Sequence, residues 1–258
     1  MKTLVAQLWD EPDLIGDYHG TGHDVDKFWY PCMDSIKQWA QLNNFEYIRY
    51  CRNDLIHLLP DLSNYKNIMD EGKWNEQCFL QLCMLNNPNY DRVVCIDADI
   101  TLWGNPQLAD GSFCALIDDR FYPNYHHAPF LIFPQGGLYH STCGPEVYEW
   151  FCNEIRQPSE ILQYIITSIN LARAAGRRRN GFSDQDILIS YAYYHKMTNE
   201  PSHICWQQHQ EPKIDSFYHF IGPKKMRQYQ RFKAFLVYQK IDKFWASNVH
   251  ELKSKGIV

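Results

Sequence analysis

Two carboxylates one residue apart, Asp97 and Asp99, stand directly after a short apolar run, Arg92-Val-Val-Cys-Ile96. Alternate carboxylates of this kind can hold a hard divalent cation, and the cation can in turn hold phosphate oxygens. An Asp-x-Asp also arises as a turn cap or a solvated loop. Here apolar residues resume at once with Ile100 and Leu102, and carboxylates caught between buried segments are costly unless paired or metal-bound. Three further groups of residues could join such chemistry: Gly136-Gly137, Ser183-Asp184-Gln185-Asp186, and His219 followed by Gly222 and Lys225. An imidazole and two carboxylates can hold a metal with positions left open, and a lysine adds a fixed positive charge for a diphosphate.

These residues need strands and helices to position them. The run Arg92 to Ile96 has the length and β-branched content of a buried strand in a parallel sheet. In an open α/β sheet, ligands collect at the carboxyl ends of such strands, where Asp97 and Asp99 fall. Further strands are expected over Thr3 to Trp9, Phe45 to Tyr50, Phe113 to Ile117, Phe130 to Phe133, His203 to Trp206 and Ser216 to Ile221. Leu8 and the Asn53-Asp54 pair, at the ends of the first two strands, fall on the same edge as Asp97.

Helices are expected over Lys27 to Asn43, with Phe28, Cys32, Ile36, Trp39 and Ala40 near one face, and over Trp74 to Leu85, stopped by Pro88. Others are read at Pro145 to Arg156, Ser159 to Ala175 and Ile187 to Lys196. Ser183 suits an N-cap, and Asp184 and Asp186 suit the first turn that follows it, so capping is a complete structural account of both carboxylates. The fold class is therefore α/β, an open parallel sheet flanked by helices. Residues 1–258 read as a single domain, a core to about residue 226 and a helical tail over 227–258.

Composition narrows the class. The chain has 258 residues, 45% hydrophobic and 21% charged, which fits a soluble globular protein. A net charge of −5 argues against nucleic-acid binding by bulk electrostatics. Nine cysteines, with no Cys-x-x-Cys, read as reduced thiols in a cytoplasmic setting rather than a disulfide framework or a zinc site. No apolar run reaches membrane-spanning length. His19, His23, Asp24 and Asp26 crowd a Gly-rich loop but lack zinc spacing, and the segment reads as a mobile, substrate-facing loop. Arg177 to Arg179 form a basic loop, solvated or in contact with phosphate. The basic, aromatic tail reads as a solvated helix face or as a peripheral contact with an anionic membrane.

Taken in order, Tyr90-Asp-Arg-Val-Val-Cys-Ile-Asp-Ala-Asp99, Gly136-Gly137-Leu138, Ser183-Asp-Gln-Asp-Ile-Leu188 and His219-x-x-Gly222-x-x-Lys225 resemble the glycosyltransferases of the GT-A fold. The set is most similar to family 8, which includes glycogenin and the bacterial lipopolysaccharide galactosyltransferases. The resemblance spans roughly residues 1 to 226, the His-x-x-Gly-x-x-Lys is its most specific part, and it implies an α/β fold with a mixed, mostly parallel central sheet flanked by helices. It implies a manganese (or magnesium) ion held by Asp97, Asp99 and His219, and a UDP-sugar donor. It implies that Asp97 and Ala98 lie against the nucleotide, that Gly222 and Lys225 bind the diphosphate, and that Gly136 and Gly137 line the donor-sugar site. Asp184, Gln185 and Asp186 would approach the donor sugar and acceptor as the catalytic group. Lys73 would match a basic residue that contacts the donor, and Leu8 with Asn53 or Asp54 would lie near the base.

The chain departs from the family at Gln135-Gly136-Gly137, where Asn-(Ser/Ala)-Gly is usual, and at Met226-Arg227, where Pro-Trp is common. The expected activity is transfer of a sugar, with retention, to a glycan, lipid-linked or protein acceptor. Self-glycosylation in the manner of glycogenin is a variant of this reading. A nucleotidyltransferase is the alternative within enzymes, although no Gly-rich, Lys-containing loop follows the first strand. A non-catalytic sugar-binding module is the alternative outside them. Trp103, Tyr122, Tyr125, His126, His127 and Trp206 are candidate acceptor-facing groups, each with core or surface packing as its plainer account. The oligomeric state stays open.

Overall fold

The computed structural model describes residues 1–9, 27–69, 73–117, 134–176, 181–205, 213–220 and 227–237. Its central sheet starts from β1 (Thr3–Leu8). After a helix, α1 (Trp29–Leu42), the chain returns as β2 (Glu46–Tyr50), parallel to β1. It passes through a short helix, α2 (Arg52–Leu55), and a longer one, α3 (Lys73–Cys83). It then enters β3 (Arg92–Ile96), parallel to β1 on the side away from β2. The strand order of the six-stranded sheet is β2-β1-β3-β6-β5-β7, where β5 is Phe113–Ile117, β6 is Pro134–Ser141 and β7 is Thr198–Asn199. β6 runs antiparallel to β3 and β5, and β7 parallel to β5, so the sheet is mixed and mostly parallel, as the resemblance implies.

The reason β3 is central is visible in its side chains. Arg92 to Ile96 are all buried, and a strand covered on both faces needs the near-continuous apolar run this one has. Each such aliphatic side chain contributes about 1.5–3 kcal/mol by leaving water. Between β1 and β3 the chain reverses the direction in which it builds the sheet, which opens a crevice at the strands' carboxyl ends. Asp97 is the first residue past β3 at that crevice.

A second sheet was not legible beforehand. Ile100–Trp103 forms β4, which leaves the central sheet and pairs antiparallel with β9 (Ser216–His219), itself parallel to β8 (His203–Cys205). Asp97-Ala98-Asp99 is thus the joint between two sheets. Gly136 and Gly137 lie within β6 rather than after a strand, and the strand expected over Phe130 to Phe133 lies outside the described residues.

Helices α4 (Gly144–Arg156), α5 (Glu160–Ala174) and α6 (Asp184–Tyr194) follow the expected spans within a few residues. A helix over 227–237, α7, packs Tyr229 and Phe232 against Phe28, Tyr218 and Phe220. Trp103 meets Phe235 of that helix edge-on. No helix among the described residues is long and apolar enough to cross a membrane.

Candidate active site

The joint between the sheets brings Asp97, Asp99 and His219 together. β4 carries the chain from Asp99 into register with β9, pairing Ile100 with His219. His219 Nε2 then stands 3.5 Å from an Asp97 oxygen and 3.3 Å from an Asp99 oxygen. One ligand atom from each of the three lies within 4.8 Å of the others, a donor set that fits a small divalent cation. Two charged oxygens and one neutral imidazole suit manganese or magnesium better than a soft ion.

The glycines explain how the ring gets so close. A Cβ on Gly137 would stand 2.3 Å from His219 Cε1 and 2.4 Å from Nδ1, inside any allowed contact. The missing side chain is therefore the space the imidazole fills. Gly137 also fixes the acidic turn directly, because its carbonyl accepts a 2.8 Å hydrogen bond from the Asp97 backbone N–H. A Cβ on Gly136 would sit 3.0 Å from Asp184 Oδ2, which puts that carboxyl against the same strand.

Electrostatics separates the acidic residues. Burial, then the charges of Asp97 and Asp186, push the Asp184 carboxyl from its ordinary range up to about 8. The Cys78 thiol of α3 also hydrogen-bonds Asp184; burial and the charges of Asp184 and Asp97 push that thiol well up. Burial pushes the His219 imidazole down, but the charge of Asp99 and hydrogen bonds to Asp99 and Cys205 overcome it and leave it well above its ordinary value. A proton on that ring offsets the carboxylate charge that a cation would otherwise offset.

The residues read from the sequence divide by position. Asp97, Asp99, Gly136, Gly137, Asp184 and His219 converge at one edge. Leu8 ends β1 at that edge, and Asp54 follows β2, where its carboxylate accepts a 2.8 Å bond from the Cys51 backbone N–H. Ala98 is buried in a hydrophobic cluster that includes Phe28, Trp29 and Tyr218. Gln185 donates to the Pro134 carbonyl at 2.8 Å, and Asp186 accepts from the Ser183 backbone N–H at 2.9 Å, closing a capping box with Ser183. Lys73 opens α3. Gly222 and Lys225 lie outside the described residues, as do His19, His23, Asp24, Asp26, Arg177 to Arg179, Tyr122, Tyr125, His126, His127 and Trp206.

Two glutamines were missed. Gln81 of α3 donates its side-chain amide to Asp97 Oδ1. Gln7, fully buried in β1, donates to the Asp97 carbonyl at 3.0 Å and accepts from the Tyr47 hydroxyl at 2.8 Å. An uncharged amide inside the strand Thr-Leu-Val-Ala-Gln-Leu was the available signal, since buried amides are seldom left without partners.

No protein-family model matches the chain. No curated protein matches it either. Solved structures do resemble it. Mouse xyloside xylosyltransferase 1 aligns at 10% identity and a TM-score of 0.43, over 85% of this chain and 97% of its own. The galactosyltransferase LgtC, solved with donor and acceptor sugar analogues, aligns at 12% identity and a TM-score of 0.38, over 86% of this chain and 88% of its own. A glycosyltransferase involved in glycosylating the major capsid of PBCV-1 aligns at 7% identity and a TM-score of 0.38, over 90% of this chain and all (100%) of its own.

Proposed function

We propose that this protein is a metal-dependent glycosyltransferase that moves a sugar from a nucleotide-sugar to a hydroxyl acceptor, with retention of anomeric configuration. The observation that carries the proposal is the convergence of Asp97, Asp99 and His219 at the joint of the two sheets, with Asp184 across Gly136 from them. The order of the four sequence motifs supports the same reading and favours a uridine diphosphate donor.

In this reading Asp97, Asp99 and His219 hold manganese or magnesium, which supplies positive charge against a departing diphosphate. The chain's own residues do the rest. Gly137 seats the His219 ring, and its carbonyl with Gln7 and Gln81 sets the orientation of Asp97. Asp184, with its carboxyl raised to about 8, keeps a proton near neutral pH and can donate a hydrogen bond to a donor-sugar hydroxyl. Gly222 and Lys225 contact the diphosphate by the family resemblance. Transfer on one face of the sugar, with the leaving phosphate oxygen taking the acceptor proton, requires no protein nucleophile. The acceptor is a hydroxyl of a glycan, a lipid-linked sugar or a protein.

The test is calorimetric titration with UDP, with and without manganese, followed by a panel of UDP-sugars. Binding that requires manganese, and turnover of one sugar with an anomerically retained product by proton NMR, is the expected result. Metal-independent UDP binding, or pyrophosphate release from a nucleoside triphosphate, would replace this reading with another.

A further inference from the structure

His219 belongs to a second donor set that the proposed chemistry does not use. β8 runs parallel to β9 in the small sheet, and the register pairs Cys205 with His219. His203 and Cys205 are two apart on β8, so strand alternation puts both on the face that His219 shares. One ligand atom each from His203, Cys205 and His219 lies within 4.8 Å of the others, and all three side chains are buried. The rings of His203 and His219 stack with centroids 5.6 Å apart.

His203 is the informative member. It is 1% exposed, yet neither ring nitrogen has a hydrogen-bond partner among the described residues. A buried imidazole without partners loses about 1–3 kcal/mol at each unmet polar atom. Valine or leucine would fill the space without that cost. A metal ion would take the lone pair of one of the two nitrogens, the one that no donor meets.

We propose that His203, Cys205 and His219 form a site for a thiophilic divalent cation, with zinc the natural occupant, beside the Asp97–Asp99 pair and in competition with it for His219, whose neutral ring has one nitrogen lone pair to give. The thiol selects the ion, since one sulfur and two imidazoles favour zinc, while the carboxylates favour harder cations. Tetrahedral zinc holds nitrogen and sulfur ligands roughly 3.3–3.6 Å from one another. The three side chains therefore draw inward by about 1 Å or less as the ion enters. Binding releases the Cys205 thiol proton and one His219 ring proton to solvent, leaving a thiolate and two neutral imidazoles. The open fourth position falls to water.

The test uses the full-length, reduced, metal-free protein with cobalt and then zinc as probes. Cobalt should give a near-ultraviolet thiolate charge-transfer band and the intense visible bands of a tetrahedral site, and one equivalent of zinc should bleach both. Cys205→Ser should abolish the charge-transfer band and weaken zinc binding about 100-fold, as loss of a ligand should cost at least as much as loss of an outer-shell partner. His203→Gln should weaken zinc binding similarly while keeping the band. Asp99→Asn should leave the band in place, and its loss in that variant would put the ion among the carboxylates and overturn the proposal. A folded wild-type protein without the thiolate band would overturn it whatever the variants do, as would zinc binding unchanged in both Cys205→Ser and His203→Gln. None of these readouts depends on sugar transfer, so this proposal and the functional one fail separately.

Discussion

Substitution of Gly137 by alanine tests how closely the site is built. The added methyl would lie 2.3 Å from His219 Cε1, where two carbons ordinarily rest about 3.5–4.0 Å apart. The ring must therefore move by about 1 Å or more, or β6 must bow away from β3. β6 is held by pairing with both β3 and β5, so the ring is the softer element. Nε2 stands 3.3 to 3.5 Å from the two carboxylates, and a displacement of that size misplaces it as a ligand. Misplacement by about 1 Å at a reacting centre typically costs on the order of 100-fold, and we expect that loss in manganese affinity and in turnover. Overpacking should lower stability by about 1–3 kcal/mol. Calorimetry with manganese, alongside urea unfolding in chelator, separates the two effects. In a His219→Ala background the same glycine change should cost little, because the ring it would strike has gone. Unchanged manganese affinity in Gly137→Ala would refute the reasoning, either because His219 is not a ligand or because the ring is not held against Gly137.

Three further outcomes follow from the same contacts. Asp184 has its carboxyl raised, so the folded state holds a proton that the unfolded chain gives up; stability should fall as pH rises from about 4 to about 8. Asp184→Asn should flatten that slope and add on the order of a few kcal/mol at the alkaline end, read from urea midpoints in chelator at both ends of the window; parallel curves would contradict it. Gln81→Leu, which takes the amide donor from Asp97, should weaken manganese binding by about 10–100-fold with little change in Tm. Glu200 is fully buried and accepts bonds from His140 Nε2 at 2.8 Å, Ser202 Oγ at 2.6 Å and the Ala109 N–H at 2.9 Å. Burial pushes its carboxyl up, but those bonds outweigh burial and hold it below its ordinary value. The stability it contributes is present above about pH 4.3 and lost as pH falls through the depressed value. Glu200→Gln should remove about 1.5–3 kcal/mol at neutral pH and flatten that acid limb of the thermal melts.

The sequence by itself determined the parts that depend on neighbours along the chain. The run Arg92 to Ile96 had to be a buried strand, because five successive covered residues leave no solvent face. Asp97 and Asp99 had to sit at its carboxyl end. Ser183 read as an N-cap and Asp186 as a first-turn acid from the sequence, and the structure joins the two in a capping box. Asp184, two residues earlier and read in the same way, has a different fate. It is buried beside Gly136 and Asp97, and its carboxyl rises for that reason.

Tertiary structure decided such cases because desolvation and charge coupling act across space. β4 could not be read from four residues, since its partner β9 lies more than a hundred positions later. Strands were expected at His203 and at Ser216, but nothing in the sequence gives the register that pairs Cys205 with His219, or puts His219 in the gap left by Gly137. Gln7 and Gln81 carried no motif, and their amides gained a role only when three elements met at the Asp97 turn. Spacing along the chain selects which groups can meet. The pairing of strands distant in sequence fixes which of them do, and at what separation.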